Sequence, residues 1–354
     1  MQDMAKQHLT VKLRLRDKHA TELNRQSKAV NFVWNYCNET SRKAWDRDRK
    51  WLSRFDLHKL TSGTSADLGI LSATINRVCD AFTKARGEAH RASVRWRGRK
   101  SLGWVPFKTG NVQFDGRALS FRGAIYEPMH LNPRLEPGAT IIAGSFNQNS
   151  RGHWYVNLSI RVDCADRASI SRIGVDLGLK ELATLSDGTK IPMPSFYRKS
   201  ELALATAQRA RKTKRVRSIH AKVANRRSDF LHKVSSALSK KHGLIVIGDV
   251  SPSKLAQTRR AKSVLDAGWS DLKHMLSYKA LMHGGSMLEV SERQTTQTCS
   301  SCGSLPPSRP RGIAGLGIRE WACDDCGTIH DRDVNAARNI LRVGLDALAE
   351  GAAL

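Results

Sequence analysis

The stretch from Val290 to Leu341, VSERQTTQTCSSCGSLPPSRPRGIAGLGIREWACDDCGTIHDRDVNAARNIL, holds two cysteine pairs, Cys299 with Cys302 and Cys323 with Cys326. Each is a C-x-x-C turn followed by a glycine, Gly303 or Gly327, and twenty residues separate the turns. Two such knuckles place four soft thiolates around one tetrahedral ion, and zinc is the usual occupant of a closed four-sulfur site. With every position filled by protein, the zinc is expected to be structural. Chemistry then falls to nearby acids, of which Asp331 and Asp333 come directly after the second knuckle.

Upstream, the pattern is that of buried strands carrying acids. Residues 172–192, RIGVDLGLKELATLSDGTKIP, read as three successive strands, the first running from Ile173 to Leu177 with Asp176 inside it. An acid on an apolar strand is costly unless it is paired or binds a metal. A second buried strand, Leu244 to Ile247, ends in Gly248-Asp249, and a third, Ser286 to Glu292, leads into the knuckle. Between them, residues 198–241 read as helices. From Gln208 to Lys241 they hold twelve Lys or Arg against a single acid, Asp229, a density that favours phosphate contact over simple solubility. Arg209, Arg211, Lys212, Lys214, Arg215, Arg226 and Arg227 are the candidate nucleic-acid contacts.

The amino-terminal half is organised differently. Residues 8–17 alternate apolar Leu9, Val11, Leu13 and Leu15 with polar neighbours, the mark of a half-buried strand. Lys18 to Asp46 and Ala66 to Ala92 read as helices, with Trp34, Tyr36 and Phe82 expected in the core. From Val94 onward, short strands and turns are dense in Arg, Lys and Gly, with Trp96, Trp104, Phe107 and Trp154 interleaved. Together with the first strand this suggests a small β-barrel interrupted by a helical block. Its aromatics suit either stacking on nucleic acid or a buried core. Cys37, Cys79 and Cys164, odd in number and scattered, are expected to be free buried thiols.

Across 354 residues, 59 Lys and Arg against 32 Asp and Glu give a formal charge of +27, so a polyanion is the natural partner. No apolar run approaches the ~18 residues a spanning helix needs, and no secretory pattern opens the chain. A soluble, cytoplasmic protein, prokaryotic and nucleoid-associated, with no membrane partner is expected. Catalysis by a Ser/His pair is not, because His220, His232, His242 and His330 lie in basic or turn contexts.

Three blocks together, IGVDLGLKELATLSDG, AKVANRRSDFLHKVSSAL with LIVIGDVSPSKL, and TTQTCSSCG with WACDDCGTIHDRDVNAARNIL, resemble the split RuvC domain and inserted zinc ribbon of the TnpB (OrfB) family. These are transposon-associated nucleases related to the type V CRISPR effectors. NFVWNYCNE near the start is similar, more weakly, to the family's wedge and recognition regions. The resemblance implies a multidomain α+β chain: a wedge-like β-barrel at 1–16 and 93–165, a helical recognition region at 17–92, an RNase H-like (RuvC) α/β nuclease domain at 166–294 and 329–354, and a zinc ribbon at 295–328. It also implies an RNA-guided DNA endonuclease. A guide RNA from the transposon end would lie in the basic channel and pair with one strand of the target double-stranded DNA, which is cut beside a short flanking motif.

The family's site is an Asp on the first strand, a Glu ending the fourth, and an Asp at the DRDVNAA helix start. Asp176 and Asp333 match the first and third, with Asp331 the weaker match for the third. The second is missing, because Gly248-Asp249 stands where the family writes Glu-Asp. Glu292 is the expected substitute. It should lie on the neighbouring parallel strand only ~4.8 Å away, Gly248 would leave room for it, and the family more often has proline there. Glu289 has the opposite parity, and Asp249 would face the wrong way. Asp176, Glu292 and Asp333 would then hold two Mg²⁺, or Mn²⁺, for hydrolysis. The alternative is a nuclease-inactive, RNA-guided DNA-binding protein acting as a repressor. A plain DNA-binding transposase without RNA explains the basic helices less well.

Overall fold

The computed structural model describes residues 6–89, 94–164, 170–250, 261–311 and 314–351. The SPSKL segment of the resemblance, at 251–255, lies outside them. The chain forms two compact units, one holding His8–Val162 and the other Met1–Gln7 with Asp163–Leu354.

In the first unit, the alternating opening segment is strand β1 (Lys6–Arg14) with Leu9, Val11 and Leu13 buried. Helix α1 (Ala20–Asp48) buries a stripe including Leu23, Val30, Val33 and Cys37. Helix α2 (Arg54–Leu60) starts on a capping box formed by Ser53 and Asp56, α3 (Ser65–Leu68) is one short turn, and α4 (Ser72–Ala89) turns Ile75, Val78, Cys79 and Phe82 inward. Then come β2 (Trp104–Lys108), β3 (Val112–Phe114), β4 (Leu119–Phe121), β5 (Ala124–Tyr126), β6 (Ile141–Gln148) and β7 (Trp154–Asp163). They make two sheets, ordered β1-β7-β6-β2 and β3-β4-β5, rather than one continuous ladder. The sheets share an aromatic core, in which Phe146 stands 5.3 Å from Phe121, 5.0 Å from Tyr126 and 5.4 Å from Phe107 between ring centres.

That core decides which aromatics are structural. Phe107 and Trp154 are buried, while Trp96 is exposed. Phe82 is buried with Trp34 edge-on to it at 5.6 Å, but Tyr36, expected inside, is exposed because it falls off the buried stripe of α1. Cys37 and Cys79 are buried with sulfurs 3.7 Å apart. Cys164, at the end of β7, is only half-buried, a correction to the expected buried thiol.

The second unit is built on a five-stranded sheet: β8 (Arg172–Leu177), β9 (Glu181–Leu185), β10 (Lys190–Pro192), β11 (Leu244–Gly248) and β12 (Ser286–Val290), in the order β10-β9-β8-β11-β12. The β9 strand is antiparallel to both its neighbours, whereas β11 runs parallel to β8 and to β12. Helices α5 (Glu201–Arg209), α6 (Thr213–Lys241), α7 (Ala261–Ala267) and α8 (Trp269–Met282) come before β12. A hairpin of β13 (Glu320–Ala322) and β14 (Ile329–Asp331) then leads into α9 (Arg332–Ala349).

Both faces of the sheet are covered, which is why β8, β9 and β11 read as near-continuous apolar runs. Ile173, Val175, Ile245 and Ile247 face Leu231 and Leu238 of α6 and Leu272 and Leu276 of α8. Leu244, Val246 and Val290 face Ile340 of α9 on the other side. Each such side chain contributes ~1.5–3 kcal/mol on burial. Strand parity therefore puts Gly174, Asp176, Val246, Gly248 and Val290 on the α9 face. At Gly174 the helix backbone comes so close that a Cβ would run into the Ala337 carbonyl and sit 2.8 Å from Leu341 Cβ. The glycine thus lets α9 lie directly on β8, bringing the helix start beside Asp176.

Candidate active site and metal centre

The four cysteines meet as their spacing predicts: the Sγ atoms of Cys299, Cys302, Cys323 and Cys326 all lie within 4.8 Å of one another. Cys299 and Cys326 are 3.7 Å apart and Cys302 and Cys323 3.8 Å. Sulfurs held at ~2.3 Å from a tetrahedral zinc stand ~3.8 Å apart, so the tetrad fits that ion. Supporting groups surround it. His330 Nε2 is 3.0 Å from Cys299 Sγ, its ring tilted against Trp321 with centres 4.8 Å apart, and Thr328 Oγ1 is 3.3 Å from Cys326 Sγ. Hydrogen bonding to Thr328 holds the Cys326 thiol down to about 6, a value suited to a thiolate ligand.

On the α9 face of the sheet, Asp176, Glu292 and Asp333 line one cleft of about 430 Å³. Asp176 is the next residue after the last β8–β11 pair, Val175 with Ile247, and so lies level with Gly248. The strand carrying Glu292 is shorter than expected: β12 ends at Val290, paired with Gly248, and Glu292 sits two residues beyond. The reason is Asp249, whose backbone N–H donates to the Val290 carbonyl while its Oδ1 accepts from the Glu292 N–H at 3.2 Å, turning the chain out of the ladder. The Glu292 side chain nevertheless fills the space over Gly248. A Cβ there would collide with Oε1, Cγ and Cδ of Glu292. Its Oε1 is buried and, among the described residues, has no hydrogen-bond partner.

Electrostatics disfavour the ionised form of two of these carboxyls. Burial, then the charges of Glu292 and Asp333, push the Asp176 carboxyl well above the usual carboxylate range, against a smaller opposing effect of Arg332. Burial, then Asp249, raises Glu292 to about 7, with Lys273 opposing. Three carboxyls line one cleft, two of them reluctant to ionise and one with an unpartnered buried oxygen, which is oxygen chemistry of the kind a hard divalent cation takes; among the described residues, though, only the cysteine tetrad already holds its ligand atoms within 4.8 Å of one another.

The other acids are occupied elsewhere. Asp331 caps α9, its Oδ1 accepting from the N–H groups of Asp333 and Val334 at 3.0 Å each, while Oδ2 takes Lys190 Nζ at 2.6 Å. Glu289 faces the opposite side of the sheet and pairs with Lys273 of α8 at 2.6 Å. Asp333 takes an ion pair that nothing in the sequence signals, from Arg319 just before β13 at 3.3 Å. Lys180, Arg319 and Arg332 also line the cleft. Of these, Lys180 follows the Asp176 turn and Arg332 sits between the two aspartates, so adjacency is the one signal that could have found them. The basic residues lie apart from the carboxyls on α5, α6 and the turn joining them. Arg209, Arg211, Lys212, Lys214, Arg215 and Arg226 are exposed and Arg227 is half-buried; none lines the cleft.

Comparison with known proteins agrees with this architecture. A family model described as "Probable transposase" matches residues 156–259, and one described as "Cas12f1-like, TNB domain" matches 269–340. A protein of Streptomyces pristinaespiralis named "Putative RNA-guided DNA endonuclease" is 30% identical over 369 residues, covering 95% of this chain and 88% of that relative. The chain belongs to the TnpB (OrfB) family. A second TnpB-family relative, "Putative RNA-guided DNA endonuclease InsQ" of Escherichia coli K12, is 34% identical over 232 residues, 57% of this chain and 56% of its own length. The fold is also that of the protein in a Cas12f1–sgRNA–target DNA complex, with a TM-score of 0.59 at 13% identity, covering 95% of this chain and 98% of the other. Among the described residues, no helix is long and apolar enough to cross a membrane.

Proposed function

We propose that this TnpB-family chain is an RNA-guided DNA endonuclease that cuts target double-stranded DNA beside a short flanking motif, using Asp176, Glu292 and Asp333 as its catalytic carboxylates. The observation that carries the proposal is the side chain of Glu292 lying over Gly248, where the family's second-motif glutamate would otherwise stand. A decayed site would have no reason to keep a buried, unpartnered carboxyl oxygen there, since burial without a partner is costly. The strand order, with an acid on the central strand, supports an RNase H-like nuclease domain at 166–294 and 329–354 around a zinc ribbon at 295–328. Residues 1–16 and 93–165 would form the wedge and 17–92 the recognition helices.

Asp176, Glu292 and Asp333 would hold Mg²⁺ or Mn²⁺, which would supply a water of lowered pKa and neutralise charge on the phosphate. The same carboxylates would orient that water toward the phosphorus. The raised proton affinities of Asp176 and Glu292 keep the cleft from carrying three full negative charges. Lys180, Arg319 and Arg332 draw the phosphodiester into the cleft. Water adds to phosphorus, the bond from phosphorus to the 3′ oxygen breaks, and that oxygen leaves with a proton. Zinc in the cysteine tetrad would be structural. The guide RNA from the transposon end would lie along Arg209, Arg211, Lys212, Lys214, Arg215, Arg226 and Arg227, contacted through phosphates while base pairing reads the target.

The test is cleavage of a matched duplex by the protein reconstituted with guide RNA and Mg²⁺. The natural chain should cut, and Glu292→Ala and Asp176→Ala should bind the target without cutting. Guide-dependent binding with no cleavage by the natural chain would instead leave a programmable DNA-binding protein.

A further inference from the structure

Helix α9 turns two buried asparagines, Asn335 and Asn339, toward the segment that joins Glu292 to the first cysteine knuckle. They are four residues apart and so share one helix face. Both aim at the same pair of carbonyls. Asn339 Nδ2 donates to Thr295 O at 2.8 Å and Thr298 O at 2.7 Å; Asn335 Nδ2 donates to Thr298 O at 2.8 Å and Thr295 O at 3.3 Å. Asn335 Oδ1 accepts from the Ser300 N–H at 2.9 Å, inside the Cys299–Cys302 knuckle. At the near end, Thr295 closes a turn on Glu292, its N–H and its hydroxyl donating to the Glu292 carbonyl at 3.2 and 2.9 Å.

We infer that Asn335, Asn339 and Thr295 are positioning residues that set the Glu292 carboxyl in register with Asp333. The inference rests on the reading of Asp176, Glu292 and Asp333 as the cation site. Glu292 lies beyond the end of β12, so the sheet ladder does not fix it; the Val250 backbone bonds its carboxyl, while Oε1 itself has no partner among the described residues. Asp249 holds the Glu292 N–H and the turn at Thr295 holds its carbonyl, and that turn is gripped by α9, the helix that presents Asp333 two residues before Asn335. One helix thus carries one carboxylate and grips the backbone of another. Packing alone would be served by apolar side chains on this face. Two amides directed at the same carbonyls instead specify a single register, because a shift would strand several buried polar groups at once. The Ser300 contact ties the first cysteine knuckle to the same grip.

The test is Mn²⁺ binding, followed by electron paramagnetic resonance on the 354-residue chain with its guide RNA, alongside elemental analysis for the tetrad metal. Asp176→Asn should abolish the tight Mn²⁺ site. Asn339→Ala, and Thr295→Val, which keeps the Thr295 carbonyl but removes the hydroxyl, should each weaken Mn²⁺ binding about ten- to a hundredfold while retaining the tetrad metal. Thr295→Ser should restore it. Natural Mn²⁺ affinity in Asn339→Ala and Thr295→Val would overturn the inference, as would loss of the tetrad metal in step with Mn²⁺, which would make the grip a fold element only. If Asp176→Asn leaves Mn²⁺ binding intact, the carboxylate reading fails first and the inference falls with it.

Discussion

The cysteine tetrad and the carboxylate cleft lie in the same unit and both suit metal ions, yet they are assembled on different principles. The tetrad is local: two knuckles and the hairpin of β13 and β14, all within Cys299–Asp331, set every sulfur-to-sulfur distance. The cleft is global. Asp176 and Glu292, more than a hundred residues apart in sequence, converge because β8, β11 and β12 are parallel neighbours and the turn after Val290 lays Glu292 over Gly248, while Gly174 admits α9, with Asp333 at its start, against the sheet. A local site should be lost as a unit when its ion leaves. A global one should lose its chemistry to a single side chain while the fold survives.

The largest expected effect is therefore at the tetrad. Replacing Cys323 with serine should remove the bound metal and melt the ribbon, since structural zinc sites of this type supply on the order of 10 kcal/mol; elemental analysis and calorimetry would check it. A Cys323→Ser chain that keeps one equivalent of metal and its melting temperature would show that the four sulfurs are not one site. In the cleft, Glu292→Gln should lower cleavage at least about a hundredfold with target binding and melting temperature nearly unchanged, the opposite pairing of effects.

This contrast also explains what was legible in the sequence. The tetrad could be read from spacing alone because knuckle geometry is local. The strand acids were readable by parity, which put Asp176, Gly248 and Glu292 on one face and Glu289 on the other. Parity did not reveal that Asp249 pulls Glu292 out of the ladder after Val290, because that depends on a side chain accepting from a backbone N–H across two strands. Arg319 was invisible for a similar reason: its ion pair with Asp333 depends on how the hairpin folds back toward α9, which no residue spacing encodes. The exposed Tyr36 shows the limit of helical periodicity, which locates a stripe but not its edges.

A smaller effect separates the two sites by pH. Glu292 is raised from an ordinary value of 4.5 to about 7, so it takes up a proton on folding between those values, and stability falls as pH rises through that window. Glu292→Gln removes this penalty. Without divalent cation the variant should match the natural chain near pH 4 and exceed it by about 1–2 kcal/mol above pH 7, after discounting for solvent screening. Saturating Mg²⁺ should erase or reverse the difference. Urea unfolding at several pH values with and without Mg²⁺ would show it, and a pH-independent difference would contradict the assigned burial of Glu292. The smallest effect is expected at Asp331. As a helix cap paired with Lys190, its replacement by alanine should cost about 1 kcal/mol and leave cleavage largely intact, whereas Asp333→Ala should abolish cleavage. Equal loss of cleavage in the two would blur the distinction between cap and ligand.

The central claim is that the acid missing at 248 has been replaced from 292. The most direct test moves it back. Guide-dependent cleavage would be compared in the natural chain, in Glu292→Ala, and in Glu292→Ala combined with Gly248→Glu. Loss of cutting in the single variant and its return in the double is the predicted result. Undiminished cutting by Glu292→Ala would contradict the account.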